Sequence, residues 1–282
     1  MKPLKAVLIV FAAVALFGPG VFAHAAAPRV LLNPAKPGPG DIVIVTVKGV
    51  TGPVDGKFNG KKLYFLASHN AFKAVLGIDL FTEPGAYTLD ITAQDKVLSR
   101  PVTIIKKKYP VQKLTLPEDM VELSPENEER AEREQKKVAA IWPNETERIW
   151  NGSFINPREG KISTKFGLRR IINGVAKNPH SGVDVAAEEG EKVKAPNNAI
   201  VAMVDNQFFS GNSVILDHGQ GIYTMFFHLS RVLVHEGQQV KKGDVVGLVG
   251  STGRSTGAHL HWGVRVQGAR VDPLELIKLK LD

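Results

Sequence analysis

From Pro28 to about Lys108 the chain reads as short apolar runs cut by glycine, proline and asparagine. Between Asp41 and Lys48, Ile42, Ile44 and Thr46 alternate with Val43, Val45 and Val47, a period of two that places successive side chains on opposite faces of a strand. Val30 to Asn33, Lys62 to Ala67, Ala71 to Leu76, Ala86 to Ala93 and Val97 to Ile105 are predicted strands on the same grounds. Pro37-Gly38-Pro39-Gly40, Asn59-Gly60 and Pro84-Gly85 supply the turns between them.

Regular short strands with this punctuation predict a β-sandwich over residues 28–108, resembling immunoglobulin-like modules without their cysteine bridge. The pattern then changes. Over residues 109–151, Ser124 followed by Pro125 is a helix start, with Glu126, Glu128 and Glu129 near the positive end of the dipole and Arg133, Lys136 and Lys137 further along. Trp142-Pro143 is a stop, and the mixed charge predicts a solvated linker helix. From Gly152 to residue 282, β-like runs return at Ile162 to Phe166, Ala199 to Asp205, Ser213 to Asp217, Ile222 to Phe227, Val245 to Val249 and Leu260 to Val266. The chain is therefore expected to be mainly β, with two β regions joined by a helical linker.

The first residues belong to a different class. Lys2 and Lys5 precede the uncharged apolar run Ala6 to Phe17, Gly18-Pro19-Gly20 breaks it, and Ala23-His24-Ala25 is a small-x-small cleavage site. Residues 1–25 are expected to be a secretory signal peptide, because the run is shorter than the ~20 residues a membrane-spanning helix needs. No later segment is apolar enough to span. The mature chain is expected to be exported, to the periplasm or the cell exterior.

Composition narrows the chemistry. The 282 residues include no cysteine and eight histidines, so any metal must be held by histidine and carboxylate rather than thiolate. The formal charge is +8, or +6 once Lys2 and Lys5 are removed. The lysines are scattered and aromatics are few, so nucleic acid is not an expected partner.

Six of the eight histidines fall between His180 and His261. His180 and Asp184 stand four apart, and His259 and His261 stand two apart around Leu260. On an extended strand the latter pair shares a face about 7 Å apart along the backbone. Zinc catalysis needs three nitrogen or oxygen ligands and one open position for water. Two such pairs facing each other supply those ligands and leave a histidine for proton transfer. His228, at the end of Met225-Phe226-Phe227-His228-Leu229-Ser230, is a further acid–base candidate beside them. His218 and His235 sit in turn-like stretches and His69 in a solvent-facing loop, so none of the three is expected to ligate. The glycines of Gly250-Ser251-Thr252-Gly253 are read as permitting a tight turn, since a phosphate loop would end in Gly-Lys-Ser/Thr. HExxH is absent, and no GxSxG elbow is expected, since the glycines around Ser255 are read as turn formers before the His259 strand.

The segments Phe166-Gly167-Leu168-Arg169, HSGVD from His180, FHLS from Phe227 and GSTGRSTGAHLHWGV from Gly250 resemble the lysostaphin-type (LytM-like) peptidoglycan zinc endopeptidases. The resemblance covers about residues 152–275. It implies a C-terminal antiparallel β-sheet domain with a long groove, and one Zn2+ per chain held by His180, Asp184 and His261. It further implies that His228 and His259 flank the water and the scissile carbonyl, one as general base and the other stabilising the tetrahedral oxyanion. Phe227 stands where many relatives carry a small residue, a departure expected to narrow the groove floor. Stem peptides of peptidoglycan are the implied partner, with a monomer expected. Two other readings accompany this one: a non-catalytic activator of another wall hydrolase, and a peptidase held latent by its N-terminal region. The intact set of five residues favours catalysis.

Overall fold

A computed structural model of the chain describes residues 27–94, 96–115 and 123–281; the expected signal peptide lies outside them. The N-terminal region carries β1 (Arg29–Asn33), β2 (Ile42–Lys48), β3 (Val54–Phe58), β4 (Lys61–Leu63), β5 (Leu66–Ser68), β6 (Ala71–Gly77), β7 (Gly85–Ala93) and β8 (Lys96–Ile104). They form two four-stranded antiparallel sheets, ordered β1-β2-β6-β5 and β4-β3-β7-β8. Val43, Val45 and Val47 on one sheet and Leu89, Ile91, Val102 and Ile104 on the other close a single core. Asn59 and Gly60 both have positive φ (48° and 78°), as the two-residue turn between β3 and β4 requires. The run 62–67, expected as one strand, is two: β4 ends at Leu63 and β5 begins at Leu66 in the opposite sheet. Continuous hydrophobicity does not record where a chain changes layers.

Strand β2 is apolar on both faces because both faces are covered. Its valines enter the sandwich core, whereas Ile42, with Val75 and Leu80, joins the core of the C-terminal region. Polar contacts reinforce that junction: Arg270 N donates to Asp79 Oδ2 at 2.8 Å, the Arg270 guanidinium pairs with the same carboxylate, and Asp272 N donates to Gly40 O at 2.8 Å.

The connecting stretch is more engaged than a solvated linker. It contributes β9 (Val111–Leu114) and α1 (Pro125–Ala139). Ser124 caps α1 by accepting from Asn127 N. The helix buries no residue fully, yet Val138 and the following Ile141 and Trp142 pack on Met203, Ile215, Tyr223 and Met225. Lys137 pairs with Asp205 at 2.9 Å. Among the described residues no helix is long and apolar enough to cross a membrane.

The C-terminal region carries β10 (Ile162–Thr164), β11 (Arg169–Ile172), β12 (Val175–Lys177), β13 (Gly182–Ala186), β14 (Lys192–Lys194), β15 (Ala199–Gln207), β16 (Gly211–Gly219), β17 (Ile222–Leu229), β18 (Arg231–Val232), β19 (Gln239–Val240), β20 (Val245–Leu248), β21 (His259–Val266), β22 (Ala269–Val271) and the short α2 (Pro273–Leu276). Its main sheet runs β10-β13-β21-β17-β16-β15-β19, with β22 against β21. β9 lies parallel to β11 and extends the β11–β12 hairpin to three strands. Trp262, Val264, Val183, Phe226 and Leu216 fill the core beneath the main sheet.

Candidate active site

Register brings the chemistry together. β13 and β21 are antiparallel with Asp184 opposite His261 and Ala186 opposite His259, while β17 sets Phe227 opposite His261 on the other side. Asp184 and His261 thus occupy one row across adjacent strands, and His259 lies two residues along β21 on the same face. His180 precedes β13 and is clamped by backbone: its N–H donates to Leu168 O (3.0 Å) and its carbonyl accepts from Gly167 N (2.8 Å). That clamp is a physical reason for the Phe-Gly-Leu-Arg segment. Gly167 itself has φ 76° and no room for a Cβ beside the Tyr109 ring.

Three ligand-type atoms converge. His261 Nδ1 lies 2.9 Å from Asp184 Oδ1 and 2.9 Å from His180 Nε2, and His180 Nε2 lies 3.0 Å from Asp184 Oδ1. The trio is the one group of metal-holding type found among the described residues. Its environment prepares each member. His180 Nδ1 donates to Lys165 O (3.1 Å), which leaves the lone pair on Nε2, facing the other two. Burial pushes the His261 pKa down to about 4, only partly countered by Asp184, so the imidazole is neutral at pH 7. Burial opposes ionisation of Asp184, but the two imidazoles in contact with its Oδ1 outweigh it and hold the carboxyl well below the usual range. Two imidazoles and a carboxylate, aimed at a common point, form a donor set suited to zinc. Gly182 is needed for this packing, because a Cβ there would meet His261 Nε2 at 2.6 Å and Trp262 O at 2.5 Å.

The remaining two histidines flank the trio. His259 Nε2 lies 3.8 Å from Asp184 Oδ1, and its ring centroid is 4.8 Å from that of His228. Both are anchored alike: His259 Nδ1 donates to Gly257 O at 2.8 Å and His228 Nδ1 to Thr252 O at 2.9 Å. Each therefore has Nδ1 committed as a donor, which leaves Nε2 as the atom available for proton exchange. His228 has φ 63° at a register shift between β16 and β17, and its N–H leaves the ladder to bond Ser210 O at 2.7 Å. Such a bulge re-aims a side chain at the cost of local strain. Burial pushes the His228 pKa down as well.

All five residues singled out by spacing and resemblance therefore meet in one place. The anchoring carbonyls of Lys165, Thr252 and Gly257 escaped prediction, because an acceptor on the main chain leaves no mark in residue type. The Gly250–Gly253 turn serves close backbone approach: a Cβ on Gly250 would lie 2.3 Å from Ser230 N, and one on Gly253 2.2 Å from Gly211 N. His218, expected in a turn, is instead fully buried at the end of β16, with the turn formed by Gln220 and Gly221. Its ring lies between Asn198 O and Thr224 Oγ1, away from the five.

Compared with known proteins, residues 178–273 match the profile of peptidase family M23. ShyA of Vibrio cholerae, named a peptidoglycan DD-endopeptidase, is 39% identical over 117 residues, covering 41% of this chain and 27% of the relative. Mpg of Neisseria meningitidis, named a DD-carboxypeptidase/endopeptidase, is 38% identical over 116 residues with the same coverage. The match thus spans about a quarter of the length of these curated relatives. A Pseudomonas aeruginosa crystal structure carrying the M23 designation is 34% identical, with TM-score 0.71 over 86% of this chain and 95% of that one.

Proposed function

The chain belongs to peptidase family M23, and from that premise we propose that it is a zinc-dependent endopeptidase acting on the peptide cross-links of bacterial peptidoglycan. The carrying observation is the convergence of His180 Nε2, Asp184 Oδ1 and His261 Nδ1 within 3.0 Å of one another, beside two histidines whose Nδ1 positions are already committed. The names of ShyA and Mpg support a bond between two D-residues as the target.

In this reading His180, Asp184 and His261 hold one zinc ion per chain. When bound, zinc supplies Lewis acidity towards a peptide carbonyl and makes water a nucleophile near neutral pH. The chain's own residues do the rest. Because Gly257 O and Thr252 O fix the tautomers, His259 and His228 present Nε2 lone pairs that can take a proton. With the rings 4.8 Å apart, a positive charge on one disfavours a second on the other, so the two are suited to opposite roles. The neutral member accepts a proton from water, and the protonated member donates a hydrogen bond to the developing oxyanion. The substrate places this activity outside the cytoplasm, in the periplasm in our reading, with the protein acting as a monomer on stem peptides.

Incubating the purified protein with isolated peptidoglycan tests the proposal. Muropeptides with split cross-links should appear, vanish with a zinc chelator and return with added zinc. Intact cross-links with every preparation would point instead to a module that activates another hydrolase.

A further inference from the structure

A cavity of about 340 Å³ opens where three distant stretches meet: β5, the extended stretch around Arg148 and Trp150, and the C-terminal residues around Lys280. It belongs to the end of the main sheet away from the His180–Asp184–His261 cluster and its flanking His228 and His259. Trp150 N donates to His218 O at the Gly219 end of β16, and along β17 the neighbouring Ile222 stands six residues, about 20 Å, from His228.

Its walls define what it would take. β5 is the outermost strand of its sheet, paired only with β6 among the described residues, so its outer side offers unpaired backbone donors and acceptors. The Arg148 guanidinium lies 4.8 Å over the Trp150 ring, and Lys280 stands on the C-terminal wall. Among the described residues neither cation has a carboxylate within ion-pair distance. Trp150, 5% exposed, is the partition between this cavity and a void of about 10 Å³. That void, also lined by Gln267, is too small for anything beyond a single water. The larger cavity therefore has an aromatic floor, a free strand edge and two cations without a carboxylate partner among the described residues. Its volume, at the low end of the ~300–1,000 Å³ usual for ligand pockets, suits a short segment.

We propose that this junction cavity is a second, non-catalytic binding site for a short extended peptide bearing free carboxylates. The peptide backbone pairs with the outer edge of β5, and its carboxylates face Arg148 and Lys280. Identifying that peptide as an uncleaved stem of the wall rests on the function proposed above; the site itself rests on the cavity. A second stem held there would anchor the protein while the histidine cluster, at the far end of the sheet, works on another.

Titrating full-length His259→Ala protein with a purified uncross-linked stem tetrapeptide, followed by amide NMR or calorimetry, tests this. Binding should centre on β5 and weaken tenfold or more in Arg148→Glu/Lys280→Glu, with amidated carboxylates, or with N-methylated backbone amides. The same two substitutions in otherwise wild-type protein should leave cleavage of a small soluble cross-linked dimer unchanged. Undiminished binding by the charge-reversed variant would overturn the proposal, as would competition by peptide-free glycan strands. Failure of the peptidase reading would show separately, as an uncleaved dimer with peptide binding intact.

Discussion

Phe227 lies flat against the imidazole of His261, with ring centroids 5.2 Å apart and planes 5° from parallel. The two stand directly opposite in the β17–β21 ladder, so the contact is set by register rather than by chance packing. The residue expected to narrow the groove floor thus has another consequence: it buttresses a proposed metal ligand. Removing it frees the ring to rotate away from Asp184 and His180. Phe227→Ala should weaken zinc affinity about tenfold or more, the range found when supporting groups around metal sites are lost. Phe227→Tyr should restore it. Chelator competition measures the affinity without reference to turnover, and an unchanged value in the alanine variant would remove the buttress from the account.

The two histidines of β21 should separate cleanly. His261→Ala removes one of three convergent donors and should abolish both zinc content and hydrolysis. His259→Ala leaves the trio whole, so stoichiometric zinc should persist while turnover falls by about 100-fold or more, the usual contribution of a positioned acid–base group. Metal analysis beside a muropeptide assay reads both. Zinc lost equally from the two variants would contradict the assignment.

Buried His218 makes stability depend on pH. Burial pushes it down to about 4, with its ring between Asn198 O, Thr224 Oγ1 and the edge of Phe154. The unfolded chain binds this proton near pH 6.5 and the folded chain only near 4. The contribution is therefore complete above pH 6.5 and is lost as pH falls towards 4, by about 3 kcal/mol at most. Denaturant melts between pH 7 and 4 should show a shallower pH slope for His218→Gln than for the wild type. Equal slopes would show that His218 is not a source of the effect.

Legibility varied with the kind of signal. The alternation in Asp41–Lys48, the Asn59-Gly60 turn and the Ser124 cap are local, and each appears as read. The histidine cluster was legible because HxxxD and HxH carry side-chain identity, and antiparallel register needed only to set Asp184 opposite His261. What escaped depends on partners distant in sequence. β9 is a strand because Arg169–Ile172 offers it an edge, and Val111-Gln112-Lys113-Leu114 has little pattern of its own. Leu63 and Leu66 sit in one apolar run yet serve opposite sheets. Ile42 read as half of an ordinary alternation, with no sign that its face would meet a second core.

That second core bears on how the N-terminal region should be tested. Latency suggests comparing the full chain with one starting near Gly152, but such a truncation removes Ile42, Val75 and Leu80 from the core that supports β21. Burial of three such side chains is worth on the order of 5 kcal/mol, a large share of a domain's ~5–15 kcal/mol. Loss of Asp79 also strips Arg270 of its carboxylate, and loss of Trp142 uncovers Tyr223. The truncated chain should therefore melt at least about 10 °C lower than the full chain. Its activity should fall through instability whatever the N-terminal region does to the groove. Calorimetry on both chains, with zinc added, decides the matter: coincident melting would mean that the sandwich is a separable appendage, whereas the expected drop makes it part of the scaffold that holds the histidines in register.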